Sequence, residues 1–244
     1  MSGPVEVPST MQGGCCVARP EGVLDSRTYR ELRDALIKLA VEQPDALVVD
    51  LHDLRISSQS ALTVFSSVWM RVSEWPGVPI LLVTEDEHVR SQLRGTISRY
   101  VPDYPTVAAA LAKSGLPPAR RRAVLELAAD PDSSHMARLF VWETCERWEL
   151  YDLTTDALAV VNELVDNVNA HTHSGGCQVR LELRRRMLTI AVCDESPAPA
   201  VLRERIGFEP WGNGLRIVAG LSRHWGCTPH LNDGKVVWAV LGQP

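Results

Sequence analysis

The sequence predicts an α/β domain followed by an α+β domain, and three observations support this prediction. The 244 residues suffice for two domains of ordinary size. In the first half, apolar runs alternate with amphipathic stretches, a pattern typical of a buried sheet flanked by helices. In the second half, helical stretches precede strand-like ones, and Pro117-Pro118 forbids a continuous helix between the halves. We therefore predict a first domain at residues 1–115, a linker at 116–122 and a second domain at 123–244.

The elements of the first half follow from the spacing of apolar residues. Continuous apolar runs predict buried strands over residues 46–51 and 78–83. Apolar residues at helical spacing predict four helices, over residues 26–42, 60–75, 88–99 and 106–112. Ser26 is the expected N-cap of the first helix, because its hydroxyl can accept a backbone N–H of the first turn.

The second half predicts helices first and strands afterwards. The helices are expected over residues 134–148 and 154–171, with another after Trp211. The strands are expected over residues 178–183, 187–193 and 236–241. Residues 232–234 read Asn-Asp-Gly, which predicts a hairpin turn before the last strand, since Asp-Gly accommodates a positive φ. These elements predict a sheet covered on one face by helices.

Composition and charge exclude several classes of protein. Hydrophobic residues at 45% and charged residues at 23% are close to the average for globular proteins, which excludes a disordered chain. The formal net charge of -5 argues against nucleic acid as a direct partner. No apolar run approaches the about 18 residues that cross a bilayer, and the N-terminus has no leader pattern. We therefore expect a cytoplasmic protein without membrane contact.

The cysteines are expected to be reduced and buried. None forms a C-x-x-C pair or a cluster with histidine at zinc spacing, so a metal or disulfide framework is not predicted. The six residues are Cys15, Cys16, Cys145, Cys177, Cys193 and Cys227.

A polar stripe is predicted along the second helix of the second half. Glu163, Asn167 and His171 recur every four residues and so share one side of the helix. A carboxylate and a carboxamide one turn apart can offer an oxygen to Mg²⁺ and a base to a nucleophile. The same spacing is also common on the solvated side of an amphipathic helix.

Two further features follow the stripe along the chain. Asp194 follows a predicted strand and precedes a proline-containing turn, where its carboxylate can accept the exocyclic amine of adenine, form the turn or cap a helix. Gly212 and Gly214 precede a helix, where glycines let backbone N–H groups approach phosphate oxygens. A Gly-x-Gly alone also occurs in simple turns.

In this order, the three features resemble the histidine-kinase-like ATPase (GHKL, Bergerat-type) domain in the short form of bacterial anti-sigma factor serine kinases. The resemblance covers about residues 120–244, and residues 162–171 resemble the N box of that family. It implies a Bergerat-type α/β sandwich with ATP and Mg as cofactors. Glu163 would be the catalytic base and Asn167 the Mg²⁺ ligand, while His171 matches a family histidine.

The same resemblance assigns the remaining site residues. Asp194 would hold adenine, and Gly212 and Gly214 would shape the phosphate-contacting end of a lid over residues 197–211. The chain departs from the family after the aspartate, where many relatives carry glycines. Residues 196–199 here read Ser-Pro-Ala-Pro.

The first half resembles a STAS domain, the fold of anti-sigma factor antagonists. The matching segments are residues 22–26, the strand over 47–51 and a small polar turn before the next helix. In phosphorylatable members this turn reads Asp-Ser-Ser-Gly, and its first serine accepts the phosphoryl group. Gln59 occupies that position here and cannot be phosphorylated. A one-residue gap brings Ser58 into register, and Ser60 is a second nearby hydroxyl, although both can also be helix caps.

Together the two resemblances imply a regulator of sigma factor activity. The leading hypothesis is a serine kinase that binds Mg-ATP and phosphorylates a STAS-type anti-sigma antagonist, with a sigma factor as a further partner and a homodimer as a frequent state of the class. The alternative is a non-catalytic, ATP-gated interaction module. A histidine kinase fragment ranks lower because His52, His88 and His135 do not lie in a predicted helical hairpin, and the lack of a membrane span disfavours an anion transporter.

Overall fold

The computed structural model divides the chain into two compact units, Met1–Pro117 and Pro118–Pro244. It describes residues 4–96, 100–114, 120–171, 175–196, 198, 200, 214–230 and 234–242. The division falls within the segment predicted as a linker, 116–122, although the last two residues of that segment already belong to a strand.

The first unit is an α/β domain. Its strands are β1 (Ser9–Gln12), β2 (Cys15–Ala18), β3 (Gly22–Leu24), β4 (Leu47–Asp50), β5 (Leu54–Ile56), β6 (Ile80–Val83) and β7 (Asp103–Tyr104). Its helices are α1 (Tyr29–Val41), α2 (Thr63–Val72) preceded by a 3₁₀ helix (Gln59–Leu62), α3 (Glu87–Thr96) and α4 (Val107–Ser114). The main sheet has the order β1-β2-β4-β6-β7, and a two-stranded sheet pairs β3 with β5.

The main sheet of the first unit is parallel except at one edge. β2, β4, β6 and β7 run parallel, and β1 pairs antiparallel with β2. Leu47, Val48 and Val49 of β4 have no exposed surface, as expected for a parallel strand with both faces covered. The predicted strands over 46–51 and 78–83 are therefore confirmed.

The first helix begins later than the sequence predicts. Its N-cap is Thr28, not Ser26. The carboxylate of Asp25 accepts the backbone N–H groups of Arg27 and Thr28 at 2.8 and 3.1 Å, so an aspartate turn occupies the segment before the helix. This turn delays helical geometry until Tyr29.

The second unit is an antiparallel sheet with helices. Its elements are β8 (Arg121–Leu127), α5 (Ser133–Trp148), α6 (Thr154–His171), β9 (Cys177–Arg184), β10 (Met187–Asp194), α7 (Gly214–Leu221), β11 (His224–Pro229) and β12 (Lys235–Leu241). The sheet has the order β11-β12-β10-β9-β8. Leu188, Ile190 and Val192 of β10 share one core with Val161 and Leu164 of α6. The predicted class, α/β plus α+β, is confirmed by this architecture.

Two details of the second unit differ from expectation. His135 lies on α5, which five residues connect to α6 and which packs against α6, so this histidine does lie in a helical hairpin. Residues 232 and 233 of the predicted turn lie outside the described part of the chain. The φ angle of Gly234 lies outside the left-handed region that favours glycine. A Cβ at this position would lie 2.1 Å from the backbone oxygen of Asp194. Close strand contact, rather than turn geometry, therefore requires this glycine.

Candidate functional site

The polar stripe of α6 lies against the start of α7. Val161, Leu164 and Val165 bury the apolar side of α6, while Glu163 and Asn167 are partly buried. A Cβ built on Gly214 would lie 2.5 Å from Oε2 of Glu163. The structure therefore brings two predicted site residues, Glu163 and Gly214, into close contact, and a larger residue at position 214 would displace the Glu163 carboxyl.

The environment of Glu163 favours its protonated form. Burial removes the carboxyl from water, and the nearby carboxylate of Asp166 repels its negative charge, so both raise the pKa of Glu163. A glutamate with a raised pKa is a better proton acceptor when it is ionised, which suits a general base.

A second polar network on α6 joins this helix to α5. Asp166 accepts hydrogen bonds from the Ser134 hydroxyl and from the Asn162 amide, whose oxygen in turn accepts one from Arg138. Asn169 contacts the hydroxyl of Ser133 at 3.1–3.3 Å. This network fixes the helix pair, and it is separate from the stripe that the sequence singles out.

Asp194 is the last residue of β10 and is fully buried, with no exposed side-chain surface. Its Oδ1 accepts the Lys235 ammonium at 2.8 Å and the Ser196 backbone N–H at 2.7 Å. Its Oδ2 is buried and has no hydrogen-bond partner among the residues that the structure describes. An unsatisfied buried carboxylate oxygen is costly, so this atom has the capacity to accept one more donor.

The ion pair lies on the helix-covered side of the sheet. Asp194 opposes Lys235 of β12 in the strand register. Alternation along β10 places Asp194 on the same face as Ile190 and Val192, which pack in the core. Sequence reasoning missed Lys235, although a lysine opening the otherwise apolar strand 235–241 is a signal.

A cavity of about 290 Å³ opens at this end of the sheet. Its walls include Cys177, Asp194, Glu195, His230 and Gly234. This volume is close to the lower limit of about 300 Å³ for small-ligand sites. The described lining does not include Glu163, Asn167 or Gly214.

The thiols near the cavity are poor nucleophiles. Burial raises the pKa of Cys177 to about 11, with the carboxylates of Asp194 and Glu126 adding to the rise. The pKa of Cys227 is also raised, and burial is the main cause. None of the six cysteines is in a disulfide in the described structure; Cys227 is half-buried and the others are buried.

Several predicted site positions lie outside the described residues. They are Gly212, the side chain of His171 and nearly all of the lid over 197–211. Within the described residues, no group of three histidine, cysteine, aspartate or glutamate side chains is placed to hold a metal ion. The helices described are all too short or too polar to cross a membrane.

The serine turn of the first unit is exposed. Ser58 has extended geometry before the 3₁₀ helix, and its side chain makes no capping hydrogen bond. Its hydroxyl instead lies 3.0 Å from the hydroxyl of Ser60. Ser58, Gln59 and Ser60 are all solvent-exposed, so both hydroxyls are accessible.

Comparison with known proteins gives structural likenesses only. No protein-family model and no curated protein matches the chain. The chain is similar to an anti-sigma factor antagonist from Mycobacterium paratuberculosis, with 22% identity and a TM-score of 0.38, over 47% of this chain and 98% of that one.

Two other solved structures are similar at lower identity. The RsbU and RsbW domains of Rv1364c from Mycobacterium tuberculosis have 16% identity and a TM-score of 0.39, over 51% of this chain and 33% of that one. The Acinetobacter baumannii histidine kinase AdeS has 13% identity and a TM-score of 0.30, over 88% of this chain and 95% of that one.

Proposed function

We propose that this protein regulates sigma factor activity by partner switching. Its second unit would bind Mg-ATP and transfer the γ-phosphoryl group to a serine of a STAS-type antagonist protein, with a sigma factor as the further partner. The order of the Glu163–Asn167 stripe, Asp194 and Gly214 along the chain supports this proposal, as does the α+β architecture that carries them.

The open oxygen of Asp194 is the observation that carries nucleotide binding. Within the described part of the chain, Oδ2 is buried without a hydrogen-bond partner, and Asp194 lines the cavity. The exocyclic amine of adenine is a donor of the kind this atom requires. The residues present therefore fit a purine base at this position.

The other site residues would act on the phosphates and the acceptor hydroxyl. Asn167 would supply an amide oxygen to Mg²⁺, and the ion would neutralise charge on the phosphates. Glu163 would accept the proton of the attacking serine hydroxyl, a role that its raised pKa suits. Gly214 leaves room beside Glu163 at the start of α7.

Calorimetry with Mg-ATP tests nucleotide binding directly. We expect wild-type protein to bind Mg-ATP and Asn167→Ala to lose the Mg-dependent part of the affinity, about 10-fold or more, because an oxygen ligand is removed. Asn169→Ala is the matched control, because it also deletes an asparagine side chain from α6. In the described structure the Asn169 side chain hydrogen-bonds only with Ser133 and Ser134 of α5. Wild-type protein that binds no nucleotide contradicts the proposal.

A non-catalytic, ATP-gated interaction module is the second candidate. The Lys235 ammonium already occupies one oxygen of Asp194 at 2.8 Å, so a base must bind beside an existing ion pair. In the first unit Gln59 offers no hydroxyl for phosphorylation. The second observation suits a first unit that acts as a fixed docking surface, with nucleotide as an effector of docking.

Radiolabelled ATP separates the two candidates. The kinase hypothesis predicts label on a serine of an added STAS antagonist, whereas the module hypothesis predicts binding without transfer. Phosphopeptide mapping of the chain itself tests the exposed turn, where we expect no label on Ser58 or Ser60 if the first unit is a fixed docking surface. Label on either serine contradicts that role, and Ser58→Ala and Ser60→Ala identify the acceptor.

A further inference from the structure

One end of the sheet in the second unit carries a cluster of arginines. β8, β10 and β11 begin at this end, and β9 and β12 end there. The cavity lies at the other end of the same strands, where Asp194 closes β10. β9, β10 and β12 have seven or eight residues each, so about 25 Å separates the two ends. The cluster, which we call the arginine end, consists of Arg120, Arg121, Arg122, Arg184, Arg185, Arg186 and Arg223.

The hairpin turn between β9 and β10 places two arginines in a backbone conformation that arginine rarely adopts. Arg184 pairs with Met187, so Arg185 and Arg186 form a two-residue turn, and their φ angles are 49° and 63°. A turn with two positive φ angles usually carries Asn-Gly or Asp-Gly, because most side chains disfavour left-handed geometry. Both arginines are exposed, so neither turn geometry nor packing explains them.

The arginine end holds more positive charge than its own carboxylates neutralise. Among the described residues of these strand ends, Glu182 is the single acidic side chain, and it is buried. Its Oε2 lies 2.9 Å from the Arg122 guanidinium and 3.9 Å from that of Arg120. One carboxylate thus serves two of the seven cations. The exposed arginines that have no ion pair in the described part of the chain are Arg121, Arg185 and Arg186.

Like charges repel one another within this cluster. Burial lowers the pKa of the Arg184 guanidinium, and the positive charge of Arg185 lowers it further, while Glu182 acts in the opposite direction. A bound negative charge would relieve this repulsion, because opposite charges favour the ionised form of each other. The cluster therefore favours a ligand that carries several negative charges.

The surroundings of the arginine end favour a short acidic segment over an extended polyanion. The formal net charge of -5 means that the molecule as a whole repels nucleic acid and anionic lipid. Because β8 ends beside the cavity, α5 starts there and its last turn lies toward the arginine end. A duplex or a membrane surface would meet the carboxylates of this region, whereas a few acidic residues can bind the arginines alone. These exposed carboxylates belong to Glu143, Glu146, Glu149 and Asp152.

We propose that the arginine end binds a short acidic segment of a protein partner, a run of aspartate and glutamate side chains. A guanidinium group binds a carboxylate through two parallel hydrogen bonds, and three exposed arginines on two neighbouring strands offer several such pairs at once. None of the seven arginines lines the cavity or belongs to the α6 stripe. The inference therefore holds whether or not the second unit binds Mg-ATP.

Fluorescence anisotropy with a labelled octaglutamate peptide tests the proposal on the full chain. We expect saturable binding at low ionic strength that weakens as salt is added, because salt screens exposed charges. Labelled octalysine should not bind. The proposal is overturned if octaglutamate does not bind, or if single-stranded DNA or phosphatidylserine vesicles bind more tightly than octaglutamate does.

A variant of the hairpin turn separates the effect of charge from a loss of fold. Arg185→Asn with Arg186→Gly removes two positive charges and introduces the sequence that this turn geometry prefers. Its melting temperature should equal or exceed that of wild type, while its affinity for octaglutamate should fall about 10-fold, the scale of two exposed ion pairs. Arg27→Gln with Arg71→Gln is the control, since it removes two exposed arginines from the first unit and should leave this affinity unchanged. A turn variant that binds octaglutamate as tightly as wild type overturns the proposal.

Discussion

Replacing Lys235 by methionine should lower the free energy of unfolding of the second unit by about 3–5 kcal/mol, the usual effect of breaking a buried ion pair. The Asp194 carboxylate would keep only the Ser196 N–H as a partner, because Lys235 supplies its single charged contact within the described structure. Chemical denaturation, together with hydrogen exchange of the β10 and β12 amides, measures the change.

Two variants make the Lys235 prediction specific. Lys113→Met removes an exposed lysine from α4 and should change stability by no more than about 0.5 kcal/mol. The double variant Asp194→Asn with Lys235→Met removes both charges and should recover most of the lost stability. If the free energy of unfolding of Lys235→Met lies within about 1 kcal/mol of the wild-type value, the ion pair contributes little to stability.

The second large effect is expected from Glu163→Gln. If the chain is a kinase, phosphoryl transfer to a STAS antagonist should fall by about 10²–10⁴-fold, the usual contribution of a general base. Binding of Mg-ATP should persist, because the amide keeps the size of the carboxyl and Asn167 is unchanged. Single-turnover transfer of labelled phosphate measures the loss, and a variant with unchanged transfer would exclude Glu163 as the base.

The same substitution has a pH-dependent effect on stability. Because the pKa of Glu163 is raised in the folded state, the folded chain binds this proton more tightly than the unfolded chain. Binding of this proton stabilises the folded chain below the pKa that Glu163 has in the unfolded chain. This stabilisation is lost as the pH rises through the pKa that Glu163 has in the folded chain. We therefore expect Glu163→Gln to be more thermostable than wild type at pH 7, with the difference vanishing toward pH 4.

The matched control for this pH effect is Asp152→Asn. It removes one carboxylate from an exposed position in the loop between α5 and α6. Its melting temperature should follow that of wild type across the same pH range. A Glu163→Gln variant that melts below wild type at pH 7 would mean that the ionised carboxylate makes a stabilising contact.

The long elements of both units are predictable from sequence, because they repeat apolar residues over many positions. The strand over 187–193 is observed as Met187–Asp194, and the helix over 154–171 has the predicted bounds. Short strands such as β3 and β7 carry too few residues for a pattern. No strand is predicted at β8: its first two residues lie in the predicted linker, and the arginines at 121 and 122 hide the alternation that follows.

The site is less predictable than the fold, because its contacts join distant parts of the chain. Glu163 and Gly214 can be singled out by residue type, but their proximity depends on how α6 and α7 pack. The Lys235–Asp194 pair spans 41 positions and depends on the register of two strands. A shift of one residue would place the two side chains on opposite faces of the sheet.

One oxygen of Asp194 ties together three segments of backbone. It accepts from the strand-opening lysine and from the amide two residues onward, while the residue itself ends β10. A ligand that bound the other oxygen and turned the carboxylate toward itself would loosen the first rung of β12 and the exit from β10 in the same event. Occupancy at the sheet end would thus be transmitted mechanically to the chain that follows, as local opening of one cooperative segment.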